Sequence, residues 1–135
     1  MTAKELLLQY ENAKIREEIL RDFTSSQRKK IDDLDLIPCR RTRQMKEEIS
    51  LLEEKLTVYE RELVRLSKTK KRIHDLITGI PGVEGEVLTR RYINGEIWES
   101  VCEGVHYSWN GVFRIHKRAL QMVQDRLDQG TFFDT

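Results

Sequence analysis

The chain has 135 residues, of which 35% are charged and only 7% aromatic, with two prolines and seven glycines. That composition favours long, solvent-washed helices over a compact sheet protein, and the length suffices for one modest domain or for a small domain behind a helical arm. A formal net charge of +1 excludes a polycation, so any affinity for nucleic acid has to come from local charge placement.

Cys39 and Cys102 stand far apart, and together with His74, His106 and His116 they show no metal-ligand spacing. Neither a metal nor a cofactor is expected. The first residues, Met1 to Glu5, lack the apolar core of a signal peptide, and no apolar run approaches the roughly 18 residues that cross a bilayer. The expectation is a reduced, cytoplasmic protein without a membrane partner. The acidic residues are spread as helix-surface partners of Lys and Arg, and no Gly-rich phosphate loop is present, so nothing points to an enzyme.

From Thr2 to Asp33 there is neither Gly nor Pro, and Leu6, Tyr10, Ala13, Leu20, Ile31 and Leu34 mostly follow helical spacing. Glu17, Thr24 and Gln27 interrupt that stripe, and the run Thr24 to Ser26 suggests a kink or break. Pro38 disfavours helical geometry at Ile37, which predicts a turn near Pro38 and Cys39. From Thr42 to Ile77 the pattern sharpens. Met45, Ile49, Leu52, Leu56, Tyr59, Leu63, Leu66, Lys70, Ile73 and Ile77 alternate in steps of four and three, the signature of a coiled-coil seam. Leu51, Val58 and Val64 widen the stripe, which suggests contact with more than one helix. The seam's partner is either a second chain or the N-terminal helix of the same chain.

Thr78 to Gly82 end this helix, with Gly79 suited to the cap and Pro81 unable to continue it. Here the expected boundary falls, between a helical, coiled-coil region over 1–78 and a second domain over 83–135. Beyond it, Val83 to Ile93 reads as a short helix with Val87, Leu88 and Tyr92 on one face, and Asn94-Gly95 as a turn. Glu96 to Val105 reads as a second short helix. His106 sits at a corner where positive φ is common, and Ser108 is a good cap for a third helix from Trp109 to about Gln129. Its expected buried positions are Val112, Ile115, Ala119, Leu120 and Val123, with Cys102 supplying the small side chain where the helices approach.

A short helix, a tight connection and a capped, amphipathic helix form the layout of a helix-turn-helix. The fold class is therefore all-α, an N-terminal long-helix coiled-coil arm followed by a C-terminal helix-turn-helix. Residues 83–135 hold six basic against eight acidic side chains, yet no acidic residue lies between Ser108 and Val123. The candidate DNA-reading side is Ser108, Trp109, Asn110, Gly111, Phe113, Arg114, Lys117 and Arg118. Asn110 suits adenine, Arg114 suits guanine, and Trp109 or Phe113 suit thymine methyl groups. Gly111 leaves room for close approach to the groove wall.

The stretches Leu88 to Val101 and Tyr107 to Leu120 resemble region 4 of sigma-70-type factors. They resemble still more the small phage and prophage proteins that carry such a domain behind a helical N-terminus, the broad group of the RinA and ArpU late-gene regulators. The resemblance covers about 35 residues. It implies an all-helical, sigma region 4-like regulator of phage transcription in a bacterial host, with double-stranded DNA as partner and RNA polymerase as a possible second one. Trp109, Gly111 and Phe113 depart from the polar residues usual there, so recognition of a −35 promoter element is not carried over.

A single reading helix buries little surface, and the seam Ile49, Leu52, Leu56, Tyr59, Leu63 and Leu66 offers a means of pairing two of them, so a homo-oligomer is expected, most simply a dimer. Two other functions fit the same architecture: a small-terminase-like DNA recognition subunit of phage packaging, which assembles as a ring, and a coiled-coil interaction protein whose helix-turn-helix binds no DNA.

Overall fold

The computed structural model describes residues 2–37 and 42–130. The turn expected at Pro38 and Cys39 lies outside the described residues, as do Arg40 and Arg41. All the regular structure described is helical, with no strand among the described residues. Helix α1 spans Ala3–Asp35 and α2 Arg43–Thr78. Three shorter helices follow: α3 Gly82–Leu88, which runs on into a π-helical turn Thr89–Ile93, then α4 Trp98–Val105 and α5 Trp109–Asp128.

Both long helices start on a side-chain cap. Thr2 Oγ1 accepts from the Glu5 amide at 3.2 Å while Glu5 Oε2 accepts from the Thr2 amide at 3.1 Å, a reciprocal capping box. Thr42 Oγ1 accepts from the Met45 amide at 3.2 Å. The break expected at Thr24 to Ser26 does not occur; α1 continues through it. The contacts on either side explain why. Phe23 lies against Tyr59 with ring centroids 5.8 Å apart, and Arg28 pairs with Glu60. These contacts hold consecutive turns of α1 to α2.

The chain divides into two compact units, one drawn from residues 1–13 and 69–135, the other from 14–68. The first therefore gathers more than the expected 83–135. Leu6 and Leu7 of α1 and Ile73, Leu76 and Ile77 of α2 close one core with Ile80, Leu88, Tyr92, Ala119 and Val123. The Ala3 amide donates to Gln124 Oε1 at 3.1 Å, fastening the start of α1 to α5. A second cluster, Val87, Val101, Cys102, Val105, Val112 and Ile115, joins α3, α4 and α5. Cys102 lies where a small residue was expected.

Within the second unit, α1 and α2 form an antiparallel hairpin. Its seam is Ile49, Leu52, Leu56, Tyr59, Leu63 and Leu66, with Ile49 buried and the others half-buried. Leu20 of α1 is fully buried. Of these seam residues, Tyr59 meets α1 through Phe23. The three polar interruptions of α1 also turn inward. Glu17 is 6% exposed, accepting from Arg21 at 2.7 Å, and Thr24 and Gln27 are half-buried.

Glycine placement differs from expectation in one respect. Between α2 and α3 the left-handed residue is Gly82, with φ 70°, while Gly79 instead leaves room for the Arg126 guanidinium, which lies 2.1 Å from where a Cβ would stand. Gly85 is tighter still. A Cβ there would sit 1.9 Å from the Ile80 carbonyl oxygen, a backbone atom that cannot swing away.

Two stability changes follow. Gly85→Ala forces α3 off the Ile80 backbone and should cost about 1–3 kcal/mol in denaturant unfolding, against the gain that alanine gives in an ordinary helix. Gln27→Leu should raise the unfolding midpoint, because Gln27 Oε1 is buried with no hydrogen-bond partner among the described residues. An unchanged or lowered midpoint for Gln27→Leu would mean that this oxygen is satisfied.

Candidate nucleic-acid interface

Helix α4 ends at His106, whose φ of 62° and ψ of 40° place it in the left-handed region while its amide bonds back to the Cys102 carbonyl. This is the positive φ expected from the sequence, tolerable for a residue such as histidine in a short corner. Tyr107 and Ser108 complete the connection. Ser108 is extended, and its Oγ accepts from the Gly111 amide at 3.2 Å, so α5 begins where the cap dictates. Gly111 has a local reason as well, for a Cβ there would meet Ser108 Oγ and the Tyr107 ring at 3.3 Å.

Burial along α5 defines its two sides. Val112, Ile115, His116, Ala119 and Val123 are buried, and Leu120 is half-buried and packs against the core, so His116 is an inward position that was not expected. Helical spacing then sets Asn110, Arg114, Lys117 and Gln121 on the opposite side. Arg114, Lys117 and Gln121 line an open groove with Tyr107, Gly111, Ile115 and Arg118. The structure thus brings Asn110, Gly111, Arg114, Lys117 and Arg118 to one side of the helix. Gln121, missed in the sequence, belongs with them; its distance of seven residues from Arg114 is the signal that would have found it.

Trp109 and Phe113 form the other flank. They are 47% and 44% exposed, with ring centroids 5.6 Å apart, and Phe113 also lies 5.3 Å from Trp98 of α4. These rings are both solvent-facing and part of an aromatic contact between α4 and α5.

Electrostatic pairing separates the cations. Arg90 bonds Glu86 at 3.1 Å and reaches Glu96 at 3.3 Å, so its guanidinium is held above its ordinary pKa, chiefly by Glu86. Arg91 donates to the Glu96 carbonyl at 2.9 Å and sits 4.7 Å over the Trp98 ring. Arg118 is 3.5 Å from Glu84. Arg114 and Lys117 have no ion-pair partner among the described residues. Both side chains are exposed.

Beneath that surface lies a polar contact that no sequence pattern suggested. His116 Nε2 and Tyr92 Oη share a hydrogen bond of 2.7 Å, and the Trp98 ring meets the imidazole edge-on at 4.8 Å. Burial pushes the imidazole down to about 4, with Lys4 and Arg91 adding repulsion, and burial also pushes the Tyr92 phenol up. Both groups are therefore neutral at pH 7, and the bond ties α5 to the π-helical turn.

No group of three or more His, Cys, Asp or Glu residues able to hold a metal occurs among the described residues. None of the described helices is long and apolar enough to cross a membrane. No family model matches the chain, and neither a curated protein nor a solved structure matches it.

His116 gives the surface a pH dependence. An unfolded histidine takes up a proton near pH 6.5, whereas the folded chain resists until about pH 4. Stability is therefore full above pH 6.5 and falls as the pH drops through that window, by about 2 kcal/mol at pH 5. Urea unfolding at pH 7 and pH 5 measures this loss, and His116→Phe should remove most of the difference between them.

Proposed function

We propose that the chain is a sequence-specific DNA-binding protein whose α4 and α5 act as a helix-turn-helix, with α5 lying in the major groove. The observation that carries this reading is the pair Arg114 and Lys117. They lie on the exposed side of a helix without an acidic residue from Ser108 to Val123, while Arg90, Arg91 and Arg118 are engaged by carboxylates, a carbonyl or a ring. Unpaired cations beside amide side chains are what a polyanion with readable base edges requires.

In this reading Arg114 donates to guanine, Asn110 pairs with adenine, and Lys117 neutralises phosphate. Ser108 ends the corner, and Gly111 and Arg118 border the contact. The left-handed corner at His106 and the cap at Ser108 support the assignment of α4 and α5 to that motif. The resemblance of Leu88 to Val101 and Tyr107 to Leu120 to sigma region 4 supports transcription regulation in the cytoplasm of a bacterial host. Phage or prophage origin and contact with RNA polymerase belong to the same reading.

Selecting bound sequences from random DNA, followed by titration of the best ligand, tests it. Arg114→Ala should cost about 1–3 kcal/mol and relax the preference at one base position, whereas Lys117→Ala should weaken all sequences alike and lower the salt slope by about one. Unchanged affinity in both variants would show that α5 does not read DNA.

A further inference from the structure

Gln121 is exposed and lines the same open groove as Arg114 and Lys117. Its side chain is already held in one orientation. Nε2 donates to Asp125 Oδ1 at 2.9 Å, one helical turn further along α5. A carboxylate only accepts, so this bond fixes which end of the amide is nitrogen. It engages one of the two N–H groups. The other N–H and Oε1 lie in the plane of the amide and have no partner among the described residues. Arg114, Lys117, Arg118 and Gln121 follow one another at helical spacing, so a single stripe two turns long carries all four.

We infer, resting on the assignment of α5 to the major groove, that Gln121 reads adenine and that Asp125 is the positioning residue that orients its amide. An acceptor beside a donor is what adenine matches, with its N6 amino group next to N7. Guanine offers two acceptors there, cytosine a donor alone, and thymine an acceptor next to a methyl group. A phosphate is the other contact open to an amide, and Asp125 selects against it. A carboxylate one hydrogen bond away repels the charged backbone, whereas a neutral base edge tolerates it. Seven residues of helix rise about 10.5 Å, roughly three base steps of about 3.4 Å. Asn110 lies on the other side of Arg114 along the helix. The target therefore places the guanine of Arg114 between two adenines, that of Asn110 and that of Gln121.

Sequences selected from random DNA by the full chain and by Gln121→Ala, Asp125→Ala and Asp125→Asn test this. Gln121 and Asp125 are both exposed, so helical circular dichroism should be unchanged in every variant. Gln121→Ala should lower the adenine preference about tenfold at one position. That position should lie two to four base pairs from the guanine that Arg114→Ala relaxes. Asp125→Ala should flatten the same position while tightening binding to all sequences, because a negative charge is gone. Asp125→Asn loses that charge but keeps an oxygen to accept from Gln121, so binding tightens and the adenine preference survives. Should Gln121→Ala keep every preference, or weaken all sequences alike, while Arg114→Ala relaxes its own position, this inference alone is overturned. Identical behaviour of Asp125→Ala and Asp125→Asn would reduce Asp125 to a bare charge and overturn its positioning role. A wild-type chain that selects no sequence at all would overturn both the inference and the reading beneath it.

Discussion

Burial of the Val112, Ile115, Ala119 and Val123 stripe is the constraint from which the rest of the C-terminal architecture follows. Those side chains enter two clusters, one closed by α1 and α2 and the other by α3 and α4. Val112, Ile115 and Val123 each contribute about 1.5–3 kcal/mol on burial and Ala119 less, which outweighs any preference of the surface side chains for another orientation. Once that stripe is inside, helical geometry leaves Asn110, Arg114, Lys117 and Gln121 outside. The exposed chemistry of α5 is thus a consequence of its packing. His116 tightens the constraint, because its bond to Tyr92 has an angular requirement that aliphatic contacts lack.

The arm follows a different logic. A seam of leucines at heptad spacing states only that something apolar covers it. In the hairpin α1 lies against part of it, through Phe23 on Tyr59, and the inward face of α1 includes Glu17, Thr24 and Gln27. A polar inward face gives a weaker hairpin than leucines would, and Arg21 compensates only Glu17.

Much of this was legible in the sequence. The bounds of α2 and α5, the corner at His106, the cap at Ser108 and the small residue at Cys102 rest on local rules, namely heptad spacing, left-handed tolerance and side-chain capping, which act within a few residues. What could not be read was non-local. Joining residues 1–13 to the C-terminal helices depends on Leu6 and Leu7 meeting Ala119 and Val123 across more than a hundred residues. The inward place of His116 depends on Tyr92 being present to receive it. The continuity of α1 through Thr24 to Ser26 depends on neighbouring contacts with α2 that override the weak helix preference of threonine and serine.

The aromatic flank of α5 bears on how such a surface would meet a ligand. Phe113 lies 5.3 Å from the Trp98 ring and 5.6 Å from the Trp109 ring, so it bridges the two indoles. Arg114 and Lys117, by contrast, are long and exposed, with no ion-pair partner among the described residues. A surface with one pre-ordered apolar edge and one flexible cationic edge divides the work of recognition. On the proposed reading, the cations would attract a polyanion from a distance and surrender rotamer freedom only on contact. The rings lose almost none, and they restrict the orientations that the cations can exploit. On the proposed reading, Trp109 and Phe113 would restrict orientation, Arg114 would set a base preference and Lys117 would carry the salt dependence.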